Sequence, residues 1–282
     1  MIEDQFFCSE DSTDCYRCEH LYFDNPTFKK IPVSFLITME NSQRRDSYLK
    51  ELKHFRPTSH VVIVHNKGFK NCYKQNVSTS YQDLWHANLH VFKLTESWKH
   101  PILLMEDDVN FTTHFQHYAH GIENFILQEN VEVYNLGCVP VLSNPVSTGN
   151  HCRVFCFGSS HAMIYSYEVR KRLLQENAIS FNTEQLHDGY IGKMCTCFTH
   201  VYPCAVQNIP KTNNQVNWPL FSKIYLNLFS FTEPDIDGYV FYYLQHALLY
   251  FGGIIPFLLM LILVLIVFTK TYRRMGHKTL CG

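Results

Sequence analysis

The chain has 282 residues, 46% of them hydrophobic and 17% charged, with a formal net charge of −1. That length and apolar content suit one sizeable domain or two small ones. The near-neutral balance excludes a nucleic-acid footprint, which needs a basic face and a high pI. Residues 1–30 read as a polar, loosely ordered lead-in containing Asn25-Pro26. "VSFLITM" (Val33 to Met39) is a short β-rich apolar run, the pattern of a buried strand. "NSQRRDSYLKELKHF" follows with Leu49, Leu52 and Phe55 at helical spacing and Asn41 or Ser42 as its cap. "HVVIV" (His60 to Val64) is a second strand. A Ser/Thr cap then opens an amphipathic helix carrying Leu84, Ala87, Val91 and Leu94. "ILLM" (Ile102 to Met105) is a third strand, a helix runs through Phe115 to Leu127, and "VEVYNLG" (Val131 to Gly137) is a fourth strand. After an irregular stretch, "SSHAMIYS" reads as a strand and "YEVRKRLLQEN" as a helix.

This alternation predicts an α/β fold with a mostly parallel central sheet and helices on both faces. Ligands in such sheets bind beyond the carboxyl ends of the strands. Thr38 and the triplet Glu106-Asp107-Asp108 fall at such ends and are expected to face one crevice.

The run from Leu244 to Phe268, "LQHALLYFGGIIPFLLMLILVLIVF", contains no Asp, Glu, Lys or Arg. Its length and composition predict a transmembrane helix, with a buried core helix as the alternative. An aromatic juxtamembrane segment (219–243) precedes it and a basic tail (269–282) follows. The N-terminal "MIEDQFFCSEDSTDC" has neither a basic start nor an apolar core, so it does not read as a signal peptide. Together these predict a tail-anchored, single-pass protein with a cytosolic domain. The charge asymmetry around the span, acidic before and basic after, favours the alternative of an ER or Golgi lumen. Two glycosylation sequons, Asn76-Val77-Ser78 and Asn110-Phe111-Thr112, bear on the same question. A glycan on Asn110 would crowd the triplet, which fits a domain that never meets the lumen. The 11 cysteines include a Cys15-x-x-Cys18 pair with zinc-like spacing but no second such pair, so free buried thiols are expected.

Three adjacent carboxylates repel one another and raise each other's pKa. In a solvated loop this costs little. At a buried strand end it calls for a positive charge. Strand alternation puts Glu106 and Asp108 on one face and turns Asp107 away. Two carboxylates on one face suit a hard divalent cation, Mg2+ or Mn2+, which commonly also binds a substrate diphosphate. That combination points to nucleotide-sugar chemistry, with the ion neutralising the leaving diphosphate. An aspartyl-phosphate hydrolase is the runner-up, but its Asp-x-Asp pattern is out of register here.

Four stretches carry a resemblance to glycosyltransferase family 25, and in particular to its divergent members from large DNA viruses. They are "SFLITMENSQRRDSYLKEL", "ILLMEDDV", "VYNLG" with "GSSHAMIYSYEVRKRLL", and "HDGYIGKM" with "VYPCAVQNIPKTNNQVNW". The match covers about residues 31–218; the family's Ser-His pair on the second helix is replaced by His86 and His90 in altered context. The resemblance implies a GT-A-like domain (31–218), a UDP-sugar donor and inverting transfer of a galactose or glucose to a glycoprotein or glycan acceptor. Carried onto this chain, Glu106 and Asp108 would hold the metal and diphosphate. Thr38, Arg45 and Asp107 would line the nucleotide pocket, and Asp188 would be the base that takes the acceptor's proton. Plain structural roles stand beside these: Asp188 as a turn or cap residue, His161 as a core histidine, and Arg44, Arg45 and His187 as surface residues. A catalytically degenerate protein that binds glycan or a partner is the alternative function.

Overall fold

In the computed structural model, residues 15–144, 150–179, 187–207, 243 and 246–278 are described. The first strand, β1 (Tyr16–Tyr22), comes out of the lead-in that had read as loosely ordered. It is an edge strand, antiparallel to β3 (His60–Asn66), and its half-exposed polar residues hide the alternation that would have marked it. β2 (Val33–Met39), α1 (Arg45–Phe55), β3, α2 (Ser80–Leu94) and β4 (Ile102–Glu106) then alternate as strand and helix. β2 pairs in parallel with both β3 and β4. β5 (Val109–Phe111), α3 (Thr113–Gln128), β6 (Val133–Asn135), β7 (Val139–Ser143), β8 (His151–Gly158) and β9 (Ala162–Tyr165) follow. The remaining elements are α4 (Tyr167–Ile179), α5 (His187–Met194), β10 (Cys197–His200), β11 (Ala205–Gln207) and α6 (Ile254–Lys278).

The main sheet has nine strands in the order β1-β3-β2-β4-β9-β6-β10-β8-β7, and β11 pairs with β5 in a separate ladder. The expected GT-A-like, mostly parallel sheet is therefore corrected to a mixed, mostly antiparallel one. β2–β3, β2–β4 and β6–β10 are parallel, whereas β1–β3, β4–β9, β6–β9, β8–β10 and β7–β8 are antiparallel. The departure begins at β9, which inserts antiparallel between β4 and β6. An apolar run such as "AMIY" is buried on both faces and carries no sign of its direction, so periodicity could not reveal this.

Strand alternation divides the core in two. Val33, Phe35, Ile37, Val62, Val64 and Leu104 face Trp85, Val91 and Phe92 of α2 and Val169 and Leu173 of α4. Leu36, Val61, Ile63, Leu103 and Met105 face Tyr48, Leu52 and Phe55 of α1 and Phe115, Ile122 and Ile126 of α3. Each central strand is thus covered twice, which is why it reads as a continuous apolar run. α2 starts with a capping box: Thr79 Oγ1 accepts from the Gln82 amide, and Gln82 Oε1 accepts from the Thr79 amide.

The transmembrane prediction is also corrected, and the tail-anchored, cytosolic placement with it. Among the described residues no helix is long and apolar enough to cross a membrane. The physical reason is a break. Gly252 and Gly253 take φ of 83° and 110°, dividing the run into a helical stretch over residues 246–250 and α6. The charge-free part of α6, from Ile254 to the residue before Lys270, extends about 24 Å at about 1.5 Å per residue, against a hydrocarbon core of roughly 30 Å. The break sits where the backbone meets the sheet edge. Gly252 O accepts from the Ser143 amide of β7 at 2.8 Å, and a Cβ on Gly253 would stand 2.5 Å from Val141 O.

The expectation of free thiols fails at the N-terminus. Cys15 and Cys72 form a disulfide, and Cys18 is disulfide-bonded as well. Cys138, Cys152, Cys195, Cys197 and Cys204 are free and buried. The lead-in before residue 15, the terminal resemblance segment from Asn208 to Trp218, the juxtamembrane residues 219–242 and the tail after 278 lie outside the described residues.

Candidate functional site

β2 lies between β3 and β4, so the chain reverses its direction of travel across the sheet about β2. The crevice beyond the carboxyl ends at such a reversal is where open sheets bind ligands. Ile37 is in register with Glu106, which puts Thr38 and Asp107 side by side one residue further on.

Asp107 is held on three sides. Thr38 Oγ1 and Ser42 Oγ donate to its Oδ2 at 2.7 and 2.8 Å, and Arg44 Nη1 donates to Oδ1 at 2.6 Å. The predicted helix cap is thereby spent elsewhere. Ser42 turns its hydroxyl to Asp107, α1 begins only at Arg45, and its N-cap residue Arg44 makes no side-chain cap. That shift of the helix start decides which arginine reaches the crevice. Arg44 faces it, 3.7 Å from Asp108 Oδ2. Arg45, the predicted nucleotide residue, points away and makes a two-armed pair with Glu19 of β1 at 2.9 and 2.7 Å. The Arg45 guanidinium holds the Glu19 carboxyl down to about 2 against its partial burial, with His65 assisting.

Asp108 is buried at 7% exposure. Its Oδ2 accepts from Gln207 Nε2 at 3.0 Å, while Oδ1 has no hydrogen-bond partner among the described residues. Burial pushes its carboxyl up to about 6, although Gln207 and Arg44 oppose the rise. Glu106 is half-buried, and Ser160 Oγ donates to its Oε1 at 3.4 Å. Desolvation pushes its pKa well above the usual range, and the charges of Asp108, Asp188 and Asp107 push it further. Asp188 lies in the first turn of α5 and accepts the Ser159 amide at 2.8 Å. The structure therefore brings Thr38, Glu106, Asp107, Asp108 and Asp188 to one crevice and leaves Arg45 outside it.

Five further residues complete the site: Ser42, Arg44, Ser159, Ser160 and Gln207. Ser159 holds φ of 71°, a left-handed conformation that non-glycine residues rarely adopt. Buried Asn135 braces it, with Nδ2 donating to Ser159 O at 2.9 Å. Ser159 Oγ donates to Gln207 Oε1 at 3.2 Å, so Gln207 bridges Asp108 to the segment that holds Asp188. Gln207 reaches the crevice because β11 passes hard against Gly137, where a Cβ would stand 1.7 Å from Ala205 O. His161 is fully buried beside the Ala205 backbone, and burial lowers its pKa to about 4, which makes it a core histidine.

Among the described residues no group of three or more His, Cys, Asp or Glu is arranged to hold a metal ion. The chemistry of the donors that are present still suits a hard cation with few protein ligands. Glu106 and Asp108 offer carboxylate oxygens, and Asp108 Oδ1 is buried without a partner among the described residues, a costly state for a charged atom. No family model matches the chain, and no curated protein matches it either.

Proposed function

We propose that the chain is a glycosyltransferase that moves a hexose from a UDP-sugar to a hydroxyl of a glycoprotein or glycan acceptor, with inversion at the anomeric carbon. The single observation that carries this reading is the buried Oδ1 of Asp108, without a hydrogen-bond partner among the described residues, beside Glu106 at the carboxyl ends of β2 and β4. Glu106 and Asp108 would hold Mn2+ or Mg2+, which supplies charge neutralisation to the departing diphosphate. Arg44 stands ready to pair a phosphate oxygen, since its guanidinium is positioned by Asp107 and still close to Asp108. Thr38 and Ser42 fix Asp107, and through it the loop that lines the nucleotide side. Asp188 takes the proton of the acceptor hydroxyl as the new bond forms.

The test is Asp108→Asn. Transfer from UDP-galactose or UDP-glucose in Mn2+ is expected to fall at least a hundredfold with the fold intact by circular dichroism. Unchanged transfer would remove Asp108 from the site. One observation favours the second reading, a degenerate protein that binds without catalysis: Arg44 already lies 3.7 Å from Asp108 and partly satisfies the charge a cation would meet. Calorimetric titration with UDP and Mn2+ separates the two, because a self-neutralised site takes up neither.

A further inference from the structure

The loop between β3 and α2 is tied down at three points. The Cys15–Cys72 disulfide fixes its middle to the start of β1. Lys74, two residues on, is buried: its Nζ donates to Asn66 Oδ1 at 2.5 Å and to Asp83, and stands 4.5 Å from the Tyr16 ring centroid. The Thr79–Gln82 capping box then closes the loop into α2. Between the second and third ties the chain turns outward. The Val77 amide donates to Lys74 O at 3.2 Å, and Asn76 at the tip adopts φ of 62°, a conformation asparagine tolerates. Asn76 is exposed and is the first residue of Asn76-Val77-Ser78. A disulfide of this kind persists in an oxidising compartment and is rare in the cytosol. The oxidising environment and the exposed acceptor therefore arise within five residues of each other.

We propose that this domain matures in an oxidising, glycosylating compartment and carries an N-linked glycan on Asn76. The Cys15 and Cys72 thiols lose two protons and two electrons to a thiol–disulfide exchange oxidant of that compartment. The glycan comes from a polyprenyl-diphosphate-linked oligosaccharide. The Asn76 side-chain nitrogen bonds to the anomeric carbon and loses one proton, the anomeric C–O bond breaks, and the diphosphate leaves with the electron pair. The second sequon is a poor counterpart. Asn110 is ladder-paired with Val206 within β5, between buried Val109 and Phe111. Its modification would place a glycan two residues from Asp108.

The experiment is expression of the full chain in eukaryotic cells, alkylation of free thiols at lysis, and peptide mass spectrometry with and without glycosidase. The expected result is a Cys15–Cys72 cross-linked peptide and glycosidase-sensitive occupancy at Asn76. Asn76→Gln and Ser78→Ala should each abolish the mobility shift, Ser78→Thr should retain it, and Asn110→Gln should leave it unchanged. Alkylated Cys15 and Cys72, an unmodified Asn76 peptide, or a shift lost only in Asn110→Gln would each overturn the proposal.

Discussion

Asp108 shows how much of a site depends on one neighbour. Among the described residues its carboxyl has a single side-chain hydrogen-bond donor, Gln207, and a guanidinium at 3.7 Å. Replacing Gln207 by Leu keeps the bulk and removes both the donor to Asp108 and the acceptor for Ser159. Partners behind a metal ligand are typically worth 10–100-fold in affinity. On the proposed reading, in which Asp108 holds the metal, the half-saturating Mn2+ concentration for UDP-sugar turnover is expected to rise by about that factor in Gln207→Leu, with kcat at saturating metal much less affected. An unchanged metal dependence would show that Gln207 only packs. The carboxylates were legible in the sequence because a buried apolar strand ending in three acids is a conflict that needs resolving. Arg44 was not. Choosing between adjacent arginines requires the helix start to within one residue, and that start moved when Ser42 gave its hydroxyl to Asp107 rather than to the helix. Ser159 was hidden for a different reason: beyond the hydroxyl that meets Gln207, its role lies in its backbone amide and left-handed φ, which the side chain does not announce.

At the level of elements, two termini make opposite predictions about tolerance. Thr79→Ala removes half of a capping box on a helix whose inner face carries Trp85, Val91 and Phe92, and should lower stability by about 1 kcal/mol. The measurement is a denaturant midpoint that shifts without a change in slope. Gly253→Ala should act locally instead. The new methyl meets Val141 O and Leu142 N, both backbone, so the start of α6 must lift from β7. The Ser143 amide then loses its acceptor Gly252 O, and its hydrogen exchange should accelerate while that of β2 and β4 stays as before. The same two glycines show why the span was misjudged. A composition window sees 25 uncharged residues, but positive φ at consecutive glycines ends the first helical stretch and starts a second. The strand–helix order of β2 to β4 was readable because each element has its own periodicity. The direction of β9 and the edge position of β1 were not, because both depend on pairing partners far away in sequence.

For the molecule as a whole, the buried histidines set the response to acid. His60, His151, His161 and His200 are each at most 6% exposed, and desolvation lowers the pKa of each to about 4. In the folded chain they stay neutral at pH values where the unfolded chain, near its ordinary 6.5, already takes up protons. Between pH 6.5 and about 4 the unfolded state binds more protons at these four positions, so their contribution to stability is lost as pH falls through that window, partly offset by Asp108 and Glu106, whose raised carboxyls take up protons in the folded state and act the other way. Each histidine can contribute up to about 1.4 kcal/mol per pH unit. They do not sit in one place. His60 stacks on Tyr22 at the β1–β3 edge, whereas His151 and His200 meet Phe125 and Tyr118 of α3 across the sheet. Acid therefore loosens both ends of the sheet together. Glu19 takes over below this range: its carboxyl, held at about 2 by Arg45, stabilises the fold above its unfolded value near 4.5 and loses that contribution as pH falls from there toward 2. Denaturant midpoints measured from pH 8 to pH 4 should be flat above 7 and fall steeply below 6.5. His151→Phe should flatten the upper part of that fall, since a phenyl ring keeps the stack on Phe125 and has no proton to gain. A profile that begins to drop only below pH 4.5, in the variant and the parent alike, would assign acid sensitivity to the carboxylates alone.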